Sequence, residues 1–66
     1  MIDYIKNMLN DTNINNKQKL KLLISFKEKV KYKMLNKISH SSELLKMNET
    51  LNFINSSIKD IINEEN

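Results

Sequence analysis

The chain has 66 residues, a net charge of +3 and no cysteine, which excludes disulfides and thiolate metal sites. It also lacks Gly, Pro, Ala, Arg and Trp, which excludes a glycine-rich phosphate loop and an arginine fork for phosphate or guanine. Below about 70–80 residues a single core rarely stabilises a domain alone, so a partner or a second copy is expected. The abundance of Asn, Lys and Ile is typical of an AT-rich genome, which accounts for part of the lysine count.

The first predicted helix covers residues 2–9 and has one apolar face, formed by Ile2, Ile5, Met8 and Leu9. A run of Asn, Asp and Thr follows, and these short polar side chains favour a turn and then a helix start. Asn15 and Gln18 have the spacing of a capping box. The second helix is therefore predicted to begin near residue 16.

The second predicted helix covers residues 16–38, and its apolar residues form one stripe: Leu20, Leu23, Val30, Met34 and Ile38. Ile24 and Leu35 are expected to widen this stripe. Leu22 and Phe26 lie farther round the helix, which predicts two neighbours for its first half. Lys27 interrupts the stripe, where its stem can lie along apolar surface or specify the register of a coiled coil.

The third predicted helix covers residues 41–63 and follows a break at Ser39-His40-Ser41-Ser42. Its apolar side recurs every three or four residues, as in a coiled coil, through His40, Leu44, Met47, Leu51, Ile54, Ile58 and Ile61. The short break predicts an antiparallel hairpin with the second helix. Leu51 and Ile54 should then be buried opposite Leu23 and Lys27, with the first helix covering Ile58, Ile61 and Ile62. The fold prediction is one all-α domain over residues 1–66, a helical hairpin with a short N-terminal helix that self-associates into a bundle.

Charge is segregated along the chain. Residues 17–38 carry eight lysines and one glutamate, a net charge of +7, whereas residues 39–66 carry two lysines and five acids, a net charge of −3. Lys29 and Lys33 lie on the predicted outward side of the second helix and are candidates for binding an acidic protein; a merely solvated face is the alternative. The missing arginines, few aromatics and absence of a DNA-binding motif argue against nucleic acid.

Chemistry-bearing groups are scarce. A lone His40 cannot build a metal site, and its serine neighbours have no evident orienting acid, so no catalytic residue, metal or cofactor is predicted. No signal peptide is visible, and no apolar run approaches the roughly 18 residues of a membrane span. The sequence therefore predicts a soluble cytoplasmic protein without membrane contact.

Asn48, Asn52 and Asn55 lie on one side of the third helix. Either the coding bias accounts for these asparagines, or their amides form a stripe that binds a partner. The segment Leu44-Leu45-Lys46-Met47-Asn48-Glu49-Thr50-Leu51-Asn52-Phe53-Ile54 resembles the second helix of the small sporulation aspartyl-phosphate phosphatases. Those proteins are helical hairpins of similar size from spore-forming bacteria, with Ser-Gln-x-Leu-Asp as their signature. The likeness in architecture extends over residues 20–58.

Only Leu51 of that signature is present here. Asn48 stands at the Ser position, Glu49 at the Gln position and Asn52 at the position of the functional Asp. A neutral amide cannot replace a carboxylate as a base. The resemblance therefore implies a relative that binds a phosphorylated regulator without dephosphorylating it, or one that keeps some activity.

The functional prediction is a small non-enzymatic regulator that binds another protein through helical surfaces. Phe53 is predicted to point away from the heptad stripe, where it would contact a partner or a second copy. The predicted binding residues are Asn48, Asn52, Asn55, Phe53, Lys29 and Lys33. The alternatives are the phosphatase activity implied by the resemblance and a lysine-rich nucleic-acid-binding helix.

Overall fold

The computed structural model describes residues 2–36 and 41–65, and the side chain of Ser41 is excepted. Over these residues the structure has three helices and no strand: α1 (Ile2–Leu9), α2 (Asn16–Asn36) and α3 (Ser41–Glu65). The all-α prediction is confirmed. Helix α1 has its predicted bounds, and α3 ends two residues later than predicted. The predicted last turn of α2, with Ile38, and the residue His40 lie outside the described residues.

The turn between α1 and α2 is closed by its own polar groups. The backbone N–H of Asn10 donates to the Lys6 carbonyl at 3.1 Å, and that of Asp11 donates to the Met8 carbonyl at 3.2 Å. The Asp11 carboxylate then accepts the N–H of Asn13 at 2.9 Å. This is the Asx-type turn that competes with helix continuation, so α1 ends at the start of the Asn- and Asp-rich run.

Helix α2 begins with the capping box predicted from the sequence. The N–H of Gln18 donates to Asn15 Oδ1 at 2.9 Å, and the N–H of Asn15 donates to Gln18 Oε1 at 3.1 Å. The Asn15 carbonyl accepts the first helical bond, from the N–H of Lys19 at 2.9 Å. Both side chains thus satisfy N–H groups that a helix start leaves unpaired.

Helices α2 and α3 form the larger contact, and α1 packs against both. Asn16 Nδ2 donates to Glu65 Oε1 at 3.1 Å, so the first residue of α2 lies beside the last residue of α3. The two long helices therefore run in opposite directions. Ile5 and Met8 of α1 are buried between them in the core cluster.

Helix α1 lies along the groove between α2 and α3. Ile2 lines a surface depression with Val30 and Thr50, whereas Leu9, at the other end of α1, lines one with Ile61. The prediction that α1 also covers Ile58 and Ile62 is wrong, because Ile62 remains 46% exposed and Ile58 lies four residues before it on the same side of α3. The groove along the helix pair buries more of the apolar face of α1 than the end of the pair could.

Among the described residues the core contains six buried apolar side chains, two from each helix: Ile5, Met8, Leu23, Val30, Ile54 and Ile61. Burial of Leu23 and Ile54 was predicted and is confirmed. Leu22 and Phe26 pack against this core from farther round α2, as predicted. Leu51, predicted to be buried, packs against the core but is only half-buried. Ile24 and Leu35, predicted to widen the apolar stripe of α2, are exposed.

The buried side of α3 is rotated relative to the predicted heptad stripe. Thr50 and Ser57 are both under a tenth exposed, at 9% and 8%. Each hydroxyl donates to the carbonyl four residues earlier, Lys46 at 3.0 Å and Phe53 at 2.9 Å. Because α3 has two neighbours, its buried arc is centred between them, and small side chains with internally satisfied hydroxyls lie on the α1 side.

Candidate protein-binding surface

The described residues contain no group of three or more His, Cys, Asp or Glu side chains placed to hold a metal ion. Within residues 2–36 and 41–65, every buried side-chain nitrogen or oxygen has a hydrogen-bond partner. Ordinary intrahelical bonds satisfy the two buried hydroxyls, so they are not poised for chemistry. The candidate site on this part of the chain is a surface formed by the helices.

Five of the six predicted binding residues are exposed, and the sixth, Phe53, is half-buried. Asn48, Asn52 and Asn55 are all exposed on α3. Phe53 is half-buried and packs against the core, with Lys6 Nζ lying 5.8 Å from its ring centroid. The prediction that Phe53 points away from the core is wrong, because α1 covers this side of α3.

Lys29 and Lys33 are exposed on α2, and together they line a shallow depression of about 400 Å³ with Glu28 and Tyr32. Lys33 also reaches a depression of about 500 Å³ beside the start of α1. Asp3 and Glu49 line that second depression as well. Acidic side chains therefore lie beside both of the lysines predicted to bind an acidic protein.

The opposite side of the α2–α3 pair is not covered by α1. Leu35 follows Phe26 by nine residues, and Ile62 follows Phe53 by nine, which places each about 180° round its helix. Tyr4 of α1 contacts the Phe26 ring at a centroid distance of 5.5 Å, and Lys6 lies over Phe53. Leu35 and Ile62 therefore lie on the side away from α1.

We call this side the open face. On α2 it comprises Leu20, Ile24, Lys27, Lys31 and Leu35, and on α3 it comprises Leu44, Asn48, Leu51, Asn55, Ile58 and Ile62. Within each helix these residues follow one another at intervals of three or four, so they lie along one side. Leu20 of α2 and Ile62 of α3 line the same depression, of about 330 Å³, so the two sides adjoin.

The open face exposes large apolar side chains. Ile24 is 51% exposed, Leu35 is 80% exposed and Ile62 is 46% exposed. Leu20, Leu51 and Ile58 of the same face are half-buried. Several large apolar side chains exposed on one side of a molecule mark an interaction site more often than scattered single residues do. The apolar periodicity does not predict this face, because it places these residues on or beside the stripes expected to pack inside the molecule. The signal for it is an apolar arc wider than one neighbouring helix can cover.

The charges around the open face are mainly positive. Lys17 and Lys31 are exposed and Lys27 is half-buried, against Glu28 on α2 and Glu65 at the end of α3. Most acids of α3 lie on the other side, since Glu49 lines the depression with Ile2, and Asp60 and Glu64 line the one with Leu9. On α3 the open face carries the amides of Asn48 and Asn55 instead. Two of the predicted binding residues thus belong to this face.

The sequence matches no protein-family model, no curated protein and no solved structure. Within the described ranges, each helix is too short or too polar to span a bilayer. The candidate function therefore rests on the surface itself.

Proposed function

We propose that the protein is a non-enzymatic regulator that binds another protein through the open face. The observation that carries this proposal is the exposure of Ile24, Leu35 and Ile62 on the side of the α2–α3 pair that α1 leaves uncovered. A core of six buried apolar residues is thin, and a partner on this face would extend it. Association of this kind needs contact area and no reacting group.

Photo-cross-linking in cells of the native host tests the proposal. The photoreactive residue p-benzoylphenylalanine replaces Leu35 in one variant and Leu45 in a control. Leu45 is also exposed, at 63%, but precedes buried Ile54 by nine residues and so points about 180° away from the core. We expect a discrete protein adduct from position 35 and none from position 45. Equal adducts from both positions, or none from either, would contradict the proposal.

Self-association as an antiparallel hairpin pair is a second candidate, because the same face could meet its own copy in a four-helix bundle. Its support is the short chain, which is below the size at which one core usually suffices. Sedimentation equilibrium at micromolar concentration distinguishes the two. A stable dimer that Leu35→Ser converts to a monomer would favour this candidate.

The resemblance to the sporulation phosphatases supports a third candidate, binding of a phosphorylated regulator. Asn48 and Asn52 are exposed and accessible, but Asn52 has no carboxylate with which to act as a base. We expect no phosphate release from a phosphorylated response regulator. Measurable release that is lost in Asn52→Ala would overturn the non-enzymatic proposal.

A further inference from the structure

We propose that the occupant of the open face is an amphipathic α-helix with acidic residues beside its apolar stripe. The inference rests on the function proposed above and specifies the partner. It follows from the shape of the face, from its charges and from a comparison with the other available occupant, a second copy of the chain.

The shape suits one helix. The α2 side extends from Leu20 to Leu35, fifteen residues on, which corresponds to about 22 Å at 1.5 Å per residue. The α3 side lies alongside. Its Leu51 and Ile58 are half-buried, whereas Leu35 at one end of the α2 side is exposed. A helix of about four turns laid between the two would offer apolar side chains at intervals of three and four residues.

The charges specify what should flank that apolar stripe. Lys17, Lys27 and Lys31 lie on or beside the open face. Two carboxylates also lie at its edge: Glu65 lines the depression with Leu20 and Ile62, and Glu28 precedes Leu35 by about two helical turns. The stems of these lysines extend the apolar surface while their ammonium groups remain at its edge. Carboxylates along the margins of an incoming helix would meet this positive rim and speed its association.

A second copy fits the charges less well. Its open face would bring the same lysines and the same uncharged Asn48 and Asn55. Among the described residues it would bring only Glu28 and Glu65 as nearby carboxylates, because Glu49, Asp60 and Glu64 line depressions on the α1 side of α3. Face-to-face pairing would therefore oppose basic and amide side chains with few carboxylates, which disfavours it relative to an acidic helix.

The test uses two synthetic helical peptides of about sixteen residues, matched to the length of the face. They share one Leu/Ile stripe and carry either Glu or Lys at the flanking positions. Binding to the full chain is measured by fluorescence anisotropy at near-physiological salt. We expect the Glu peptide to bind about tenfold more tightly or better, because several rim contacts each contribute a modest attraction.

Matched variants assign the binding to the open face. Leu35→Ser should weaken the Glu peptide about tenfold or more, since a leucine loses its burial, whereas Leu45→Ser should leave it unchanged. Lys31→Glu should reduce the preference for the Glu peptide, and Lys29→Glu, on the other side of α2, should not. All four positions are exposed, so the variants are expected to remain folded, as circular dichroism would show.

Three results would overturn the inference: equal affinity for the two peptides, equal effects of Leu35→Ser and Leu45→Ser, or a stable dimer dissociated by Leu35→Ser. Its failure is distinguishable from failure of the proposed function. If the peptides show no preference but the photoreactive residue at position 35 still captures a host protein, the partner has different chemistry. If position 35 captures nothing either, both proposals fail.

Discussion

Lys6 Nζ lies 5.8 Å from the centroid of the Phe53 ring, which makes Phe53 part of the contact between α1 and α3. The backbone carbonyl of Phe53 accepts the Ser57 hydroxyl at 2.9 Å, one turn further along α3. An aromatic residue outside the heptad stripe of α3 therefore contributes to the stability of the bundle. Phe53 contributes to stability because α1 packs over this side of α3.

Replacing Phe53 by Ala should lower the free energy of unfolding by about 1–3 kcal/mol, below the roughly 3–5 kcal/mol of a fully buried Phe. The ring is half-buried against the core, so the substitution removes less buried apolar area than the loss of a fully buried Phe would. Lys6→Gln retains the ring and should cost at most about 1 kcal/mol, the range for a cation–π contact. Urea unfolding followed by circular dichroism measures both. An unchanged midpoint for Phe53→Ala would mean that α1 does not hold this ring.

Ile54→Ala should destabilise the protein more than Leu51→Ala. Ile54 is 0% exposed and Leu51 is half-buried at the edge of the open face. The first substitution leaves a cavity and should cost about 2–5 kcal/mol, whereas the second should cost less because solvent can fill the space. Thermal unfolding of the two variants compares them directly. A larger loss for Leu51→Ala would show that the predicted heptad stripe faces the core after all.

Asn15→Ala should lower the stability by about 1 kcal/mol, the usual cost of losing an N-cap. The Asn15 side chain accepts the N–H of Gln18 at 2.9 Å, and alanine cannot. Asn13→Ala is the control, since Asn13 donates its backbone N–H to Asp11 and that bond survives the substitution. Equal midpoints for the two variants in urea would argue against the capping box.

Ser57 should tolerate Ala but not Leu. Its hydroxyl bonds only to the Phe53 carbonyl within its own helix, so Ser57→Ala should change the stability by less than about 0.5 kcal/mol. Ser57→Leu adds volume beneath α1 and should cost about 1–3 kcal/mol by overpacking. Asn55→Leu provides the control at an exposed position on the same helix. If calorimetry found Ser57→Leu as stable as wild type, the packing of α1 against this side of α3 would be contradicted.

Lys27→Leu should leave the fold intact and increase self-association. Lys27 is half-buried at the centre of the α2 side of the open face, so leucine would enlarge the exposed apolar surface and remove one positive charge. Sedimentation velocity over a range of concentrations measures the effect. A variant that unfolds would instead show that the Lys27 ammonium has a structural role.

The positions of the helices could be predicted from the sequence because their determinants are local. The reciprocal bonds of Asn15 and Gln18 join residues three apart, and the apolar periodicity of each segment appears within a few turns. The deep burial of Leu23 and Ile54 also followed, because each lies at the centre of its apolar arc. Spacing and the resemblance point to Asn48, Asn52 and Asn55 as binding residues, and two of these, Asn48 and Asn55, lie on the open face.

Only the tertiary structure decided which part of each apolar arc faces the core. Helices α2 and α3 both carry arcs wider than one neighbour covers, and the side that α1 occupies depends on contacts between residues far apart in sequence, such as Lys6 with Phe53. Once α1 lies there, Thr50 and Ser57 become buried, and Leu35 and Ile62 remain exposed. Periodicity fixes the angle of a side chain around its own helix, but the position of the neighbouring helix determines whether that angle is inside or outside.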